Sequence, residues 1–479
     1  MKQIKWQLDA RRQYGRIAPD IYGGFVEHLG RNVYGGVYDP SAACADSDGF
    51  RQDVLELIKN LNMPITRYPG GSYVDCWCWE DGVGKERKAK LDAAWKQLEP
   101  NTFGLDEFMR WAAKANTRPL MTVNVGARTV IDTQNLFEYC NFPGGTYWSD
   151  QRRANGVEKP YNIKEWCLGN ELYGDWEVGE MSAAEYGRIA REHAKLLKKL
   201  DPSAVIVVTG KPDDQAWNRT VLDLCGRYVE KLSLHDVFYH APELDVRGYL
   251  GSVDRFDKRL NDSIKTCRAF EAISSRRIGI SVDEWIIWDF NTRTRQEEEW
   301  TSGMHLLEQD YTILETLIAG SLFSCFHRYA DCVDIACIAQ SVNVISPIRT
   351  EKDGPAWRQS IYFPFELTSR YGRGISLKPE ESGNEDNPLY GSAVLNEENG
   401  ELTLFLTNRS AEMLDFSMEF AGVSRIEDAL SMNSADLSVV NSAAAEPLQP
   451  RPLAAELDDT LVKAQLPALS WNMLRLKVN

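Results

Sequence analysis

The stretch Ile163-Lys-Glu-Trp-Cys-Leu-Gly-Asn-Glu171 decides how the chain folds. It is a short run with apolar and aromatic residues that stops at Gly, Asn and Glu, and an amphipathic segment, Ala183 to Leu200, follows it. A strand that ends in turn residues and hands over to a helix is the repeating unit of an α/β fold. Comparable runs are Ile21 to Glu27, Pro64 to Pro69, Pro119 to Gly126, Ala204 to Gly210, Lys231 to Phe238, Arg277 to Glu284 and Val333 to Asn343. Helix-patterned segments lie between them at Gln52 to Leu61, Leu105 to Ala115 and Leu306 to Phe326. Eight strands alternating with helices over roughly 350 residues predict a (β/α)8 TIM barrel. A doubly wound sheet is the alternative. It ordinarily uses fewer strands and a Gly-rich phosphate turn, and neither Gly-x-Gly-x-x-Gly nor Gly-x-x-x-x-Gly-Lys-Ser/Thr occurs.

After Phe365 the texture changes to alternating strands separated by polar turns. Glu401-Leu-Thr-Leu-Phe-Leu-Thr407 follows Asn399-Gly400, a hairpin signal, and further strands are expected at Asp415 to Phe420 and Ser470 to Val478. This reads as an all-β sandwich that Gln3 to Leu8 joins, with Asn441 to Glu456, rich in Ala and Pro, as a loop. The expected division is a barrel over 15–365 and a sandwich from 1–14 plus 366–479.

Composition agrees with two folded units. The 479 residues exceed the about 100 to 200 of an ordinary domain, and 43% are hydrophobic and 10% aromatic, which excludes general disorder. Acidic residues outnumber basic ones by 70 to 54, for a net charge of -16, so phosphate backbones and anionic membranes are repelled. Nucleic acid and membrane partners are therefore not expected. The opening Met1-Lys-Gln-Ile-Lys-Trp-Gln-Leu-Asp9 has no apolar run that would serve as a secretory signal. Ten scattered cysteines, with only Cys76 and Cys78 close together, fit a reduced, cytoplasmic protein in which most are small buried apolar residues.

In a barrel the reactive groups collect at the carboxyl ends of the strands. The fourth run ends in Asn170-Glu171 and the seventh in Asp283-Glu284-Trp285. A carboxyl that protonates the leaving oxygen and one that attacks the anomeric carbon are the equipment of a retaining glycoside hydrolase. Surface or salt-bridged glutamates would look the same by spacing alone. Other strand ends contribute Glu27, His28, Arg67, Asn124, His235 and Gln340, a set of hydroxyl-binding groups that suits a sugar. No metal or cofactor is expected: His28, His235, His240, Asp236 and Glu27 are conceivable ligands, but no His-Glu-x-x-His or similar spacing supports them. There is no Gly-x-Ser-x-Gly elbow.

At these residues the chain resembles glycoside hydrolase family 51, chiefly α-L-arabinofuranosidases. The resemblance rests on Pro19 to Gly36, Arg67-Tyr-Pro-Gly-Gly71, Trp79 to Gly84, Trp166-Cys-Leu-Gly-Asn-Glu171, Asp283-Glu-Trp285, Ala336 to Pro347, Pro355 to Gln359 and Leu466 to Arg475, in order along nearly the whole chain. It implies a retaining exo-hydrolase of small carbohydrate substrates, with Glu171 as acid/base and Glu284 as nucleophile. It further implies that Asn170 binds the sugar 2-hydroxyl, Glu27 and Gln340 hold other hydroxyls, Arg67 supports the nucleophile's charge, and Trp95 lines the subsite floor. A homo-oligomer, a hexamer, is implied as well.

Three positions depart from the family pattern. Ser72 stands where an asparagine is usual and has less reach; Ile286 replaces an asparagine after the nucleophile. In His235-Asp-Val-Phe-Tyr-His240 the tyrosine expected beside the nucleophile is Val237 in a gapless reading, with Tyr239 as the substitute if the loop is longer. These changes point to altered sugar or aglycone preference, with another furanoside or a xyloside as the alternative substrate. A non-catalytic sugar-binding barrel is the rival of a different class, against which the paired Glu171 and Glu284 argue.

Overall fold

The computed structural model describes residues 2–241, 243–289, 300–383 and 387–479. Eight parallel strands form one sheet in sequence order: β1 (Gly24–Phe25), β2 (Ile65–Tyr68), β3 (Arg118–Val123), β4 (Glu165–Leu168), β5 (Val205–Thr209), β6 (Lys231–Tyr239), β7 (Gly279–Trp288) and β8 (Val333–Ile338). The first strand closes on the last, Gly23 N–H donating to Ala336 C=O (2.8 Å) and Ile338 N–H to Gly23 C=O (3.1 Å). The barrel interior is floored by Ile65, Leu120, Cys167, Val207, Ile335 and Cys337. Because strand side chains alternate, the inward residue two places after Ile65 is Arg67, one layer nearer the carboxyl end.

Each expected run overlaps a barrel strand, and the helices Gln52–Leu61, Leu105–Ala115 and Ala183–Leu200 form where their patterns place them. Two expectations are corrected. The first strand is only Gly24–Phe25, because Pro19–Tyr22 coils into a 3-10 turn. The helix expected from Leu306 begins at Ile313: Thr312 caps it, Leu314 N–H donating to Thr312 Oγ1 (3.1 Å) and Thr312 N–H to Glu315 Oε2 (2.8 Å).

That helix, Ile313–Arg328, is buried on every side from Ile313 to His327, as a helix held between two layers must be. Its outer face meets the sandwich. Gly320 lies so close to Trp471 that an added Cβ would stand 2.1 Å from Cδ1. His327 bridges the two units, with Nε2 2.8 Å from Tyr22 Oη and Nδ1 2.9 Å from Ser392 Oγ.

The sandwich has a five-stranded sheet, ordered Glu380–Gly383, Lys2–Gln7, Leu414–Glu419, Leu461–Leu466, Ala455–Asp458. Its partner sheet has seven strands, ordered Gln13–Arg16, Ile375–Leu377, Leu389–Asn396, Glu401–Asn408, Ser470–Val478, Val423–Asn433, Arg451–Pro452. The N-terminal strand thus joins the sandwich. The Asn399-Gly400 turn connects paired strands, with Gly400 at φ +63°. The stretch expected as a loop is one only in part: Arg451–Pro452 and Ala455–Asp458 pair at sheet edges, where proline costs no ladder bond. The helix Tyr362–Tyr371 runs across residue 365.

Candidate active site

Strand β7 carries a bulge that shapes the site. Ser233 of β6 pairs with Ser281, yet His235 pairs with Glu284, so three steps on β7 oppose two on β6. The same slip appears on the other side, where Val282 faces Ala336 and Trp285 faces Ile338. A regular strand would send Asp283 and Glu284 to opposite faces; the extra residue turns both carboxylates inward. Both meet Arg67, whose Nη1 donates to Glu284 Oε2 (2.6 Å) and whose Nε lies 3.4 Å from Asp283 Oδ2. Asp283 also accepts from Ser233 Oγ (2.6 Å), and its pKa is driven far down: burial opposes this, but Arg67 and His235 outweigh it.

Beyond β4 the chain turns sharply. Gly169 and Glu171 both take left-handed φ, +82° and +40°. For a glutamate that conformation is uncommon and marks a functional position. Glu171 Oε1 meets His235 Nδ1 at 2.8 Å, and Oε2 accepts from Trp176 Nε1 at 2.9 Å. His235 Nδ1 is also 3.6 Å from Glu284 Oε2. One donor atom from each of Glu171, His235 and Glu284 lies within 4.8 Å of the others. A cation there would compete with the Arg67 guanidinium already on Glu284, so the trio reads as an ion-pair network.

Burial lowers the His235 pKa, but Glu284, Asp283 and Glu171 push it up to about 10, so it is an imidazolium at neutral pH. Burial would raise Glu171, and the His235 bond and charge, with Trp176 and Arg67, hold it below its ordinary range. For Glu284 burial wins and the pKa rises, against the pull of His235 and Arg67.

A second chain of contacts starts at Asn170, whose Oδ1 accepts from Arg67 Nη2 (2.8 Å) and whose Nδ2 donates to Glu177 Oε1 (2.8 Å). Ser72 Oγ donates to the same oxygen (2.8 Å). On the opposite side Glu27 accepts from Trp95 Nε1 (3.0 Å), Gln340 Nε2 (2.6 Å) and the Tyr73 amide (3.2 Å). Gly70 and Gly71 let these walls approach: a Cβ on Gly70 would stand 2.7 Å from Glu27 Cγ.

Nine residues singled out from sequence therefore line one mouth: Glu27, Trp95 and Gln340 in one group of contacts, and Arg67, Ser72, Asn170, Glu171, His235 and Glu284 in a second. Tyr239 sits 40% exposed, four residues past His235, where β6 ends at the rim and pairs with Trp288 of β7. Tyr173 brings a phenol beside Glu171. The conceivable metal ligands scatter: His28 bonds Glu99 (2.7 Å), Asp236 pairs with Arg259 (3.0 Å), and His240 stacks on Tyr249. Asn124 is structural, donating to Asp75 C=O (2.7 Å). Trp176, Glu177, Tyr173 and Asp75 were not singled out from sequence; the one signal for the first three was their closeness to Glu171 in the loop after β4.

Two carboxylates this close at the ends of β4 and β7, walled by amides, an indole and hydroxyls, define a glycoside hydrolase of the barrel type. Two family models match, the α-L-arabinofuranosidase 1 domain over residues 57–259 and the α-L-arabinofuranosidase C-terminal domain over 283–470. Among curated relatives, an intracellular exo-α-(1→5)-L-arabinofuranosidase of Acetivibrio thermocellus is 41% identical, covering 99% of this chain and 100% of the relative. One of the same description from Bacillus subtilis is 39% identical, covering 100% and 99%. A solved family 51 α-L-arabinofuranosidase from Bifidobacterium longum superposes with a TM-score of 0.94 at 33% identity, over 99% and 100% of the two chains. The Thermotoga maritima α-L-arabinofuranosidase, solved with arabinose, gives 0.89 at 29% identity over both full chains. The chain belongs to the α-L-arabinofuranosidases of glycoside hydrolase family 51.

Proposed function

We propose that this protein removes terminal α-L-arabinofuranosyl units from short arabinose-containing oligosaccharides, with retention of configuration. The observation that carries the mechanism is the separation of the two carboxylates. Glu171 and Glu284 bring oxygens within 4.8 Å, close to the about 5 Å of direct double displacement and too near for the about 6.5 to 9.5 Å that an inverting enzyme leaves for water. The relatives' names support the sugar and the exo mode.

Glu284 is the nucleophile. Arg67 holds its Oε2, which leaves Oε1 to attack the anomeric carbon. Glu171 is the acid/base, and its proton is at hand on His235 Nδ1, 2.8 Å away. A sugar filling the mouth strips water from the ion pair, which favours transfer of that proton and the neutral pair of carboxylic acid and imidazole. Glu171 then protonates the departing oxygen as the Glu284 ester forms. In the second half it takes a proton from water, whose oxygen adds to the anomeric carbon and frees Glu284. Asn170, Glu27 and Gln340 bind ring hydroxyls, Trp95 forms the floor, and Ser72 closes the wall beside Glu177.

The chain reads as a barrel and a sandwich close to 15–365 and 1–14 plus 366–479, with the seams best moved to the end of the sandwich strand at Arg16 and the end of the helix at Tyr371. A cytoplasmic enzyme acting on imported fragments fits the intracellular naming of the relatives, and a hexamer is what the family resemblance implies. Ser72, already engaged by Glu177, favours a second reading in which another furanoside or a xyloside is preferred. Nitrophenyl glycosides compared by kcat/KM decide between them: the arabinofuranoside should rank first. NMR of the first product should show the retained anomer, and an inverted one would overturn the mechanism. Glu171→Ala should lose rate most on substrates with poor leaving groups.

A further inference from the structure

We propose that Asp75 and Glu177 share a single proton and that this carboxyl pair is the positioning device that aims Asn170 and Ser72 into the sugar pocket. The inference rests on the reading that Asn170 meets the sugar. Ser72–Cys76 is a 3-10 turn, in which residues three apart eclipse, so the side chains of Ser72 and Asp75 project on the same face. That face looks at Glu177. The turn is pinned from below by Asn124, which donates to the Asp75 carbonyl.

Asp75 is 2% exposed, and neither of its carboxyl oxygens meets an N–H or hydroxyl donor in hydrogen-bond geometry. The Val178 amide points toward it without reaching that geometry, and its facing partner is the Glu177 carboxyl. Two carboxyls buried face to face, with no cation on either, favour a state in which one carries a proton. The donors decide which. Glu177 Oε1 accepts from both Ser72 Oγ and Asn170 Nδ2, at 2.8 Å each, so the ionised form belongs on Glu177 and the acid on Asp75. Among the described residues no lysine or arginine forms an ion pair with either.

Titration agrees with the geometry. Burial first, then Glu177 and Glu171, push Asp75 up to about 10, and Cys76 is the other titratable neighbour. Burial also raises Glu177, with Glu171 and Glu284 adding to the effect and Asp75 and Ser72 opposing it.

The consequence lies in the amide of Asn170. Arg67 fixes its oxygen and Glu177 one of its N–H groups, so the amide has one orientation and its second N–H is left for substrate. Glu177 acts through Asn170 and Ser72 and need not touch the reacting atoms.

Infrared difference spectra test the shared proton without any substrate. Near pH 8, far above the ordinary carboxylate range of about 4, wild type should show the C=O stretch of a neutral carboxylic acid that Asp75→Asn lacks. Glu177→Gln should lose it too, because Asp75 would then ionise against an amide donor. No difference between wild type and Asp75→Asn overturns the proposal. Kinetics test the positioning. Glu177→Ala should lower kcat/KM up to about 100-fold, chiefly in kcat, and Glu177→Gln, which still accepts from Asn170, should recover most of it. Equal loss in both, or a loss confined to thermal stability, refutes positioning; should Glu177→Ala not fold, Glu177→Met against Glu177→Gln gives the same contrast. The kinetic arm is read on whichever glycoside is hydrolysed best, so failure on arabinofuranosides sinks the substrate assignment and leaves the carboxyl pair to be judged by its band.

Discussion

The base of the barrel mouth and the interior of the sandwich both bury side chains away from water, and they are made of opposite materials. Inside the sandwich Ile4, Trp6, Leu402, Leu404, Leu406, Phe416, Met418, Leu474 and Leu476 pack with almost nothing polar. At the mouth Glu27, Arg67, Asn170, Asp283 and Gln340 are as deeply buried, each at 5% exposure or less. Apolar burial stabilises at about 25 cal/mol per Å², whereas buried charge costs desolvation that pairing only offsets. The sandwich and the apolar shell of the barrel therefore hold the molecule together, and the mouth spends part of that stability on groups fixed in advance for chemistry. The sandwich joins the barrel at its outer helix, where Gly320 admits Trp471.

The comparison breaks most visibly at Glu284. Glu284→Ala should reduce kcat by about 10⁴-fold or more, near 5.5 kcal/mol of transition-state stabilisation. It should leave the melting temperature little changed, since Arg67 keeps Asp283. Steady-state rates with thermal denaturation measured on the same sample check both halves. Activity undiminished would remove Glu284 from the chemistry, and collapse of the fold would make the mouth a structural core after all.

Leu404→Ala is the mirror experiment. Leu404 is fully buried in the sandwich, far in sequence from any strand end of the barrel. The cavity should cost about 3 kcal/mol. Denaturant unfolding should register that loss while kcat of the folded enzyme stays at the wild-type level; a matching fall in kcat would mean the sandwich participates in the site.

The same contrast explains what could be read in advance. Barrel strands and helices follow from periodicity, because their burial is apolar and repeats at 2 or 3.6 residues. Glu171 and Glu284 stood out because they close such runs. What stayed hidden is polar and conformational. The β7 bulge leaves no mark in hydrophobic pattern, so the inward turn of both Asp283 and Glu284 was not legible. Trp176 and Glu177 reach the site through a loop, where no period constrains position. Tyr239 rests on the supposition of a longer loop after His235, whereas β6 continues as strand through Tyr239, a run of pairing that polar residues do not announce. The late start of the helix at Ile313 turned on the Thr312 cap, a local bond that outweighs the apolar residues before it.

The smallest effect concerns what the mouth costs, and Glu27 isolates it. Three N–H donors favour its ionised form, yet burial and the neighbouring Glu284 charge prevail and raise its pKa from 4.5 to about 8. Between those two values the folded protein keeps a proton that the unfolded chain has released. Stability is then greatest below 4.5, falls as pH rises, and levels off above about 8. Glu27→Gln cannot titrate. It also gives up one bond, since its amide N–H₂ meets Gln340 Nε2, whose own oxygen is already taken by Asn32. That loss is the same at every pH, so it shifts the whole curve without tilting it. The variant should start below wild type in acid and gain on it by about 5 °C in melting temperature across the window. Parallel curves for the two proteins would show Glu27 to be ionised throughout, its three donors stronger than its burial.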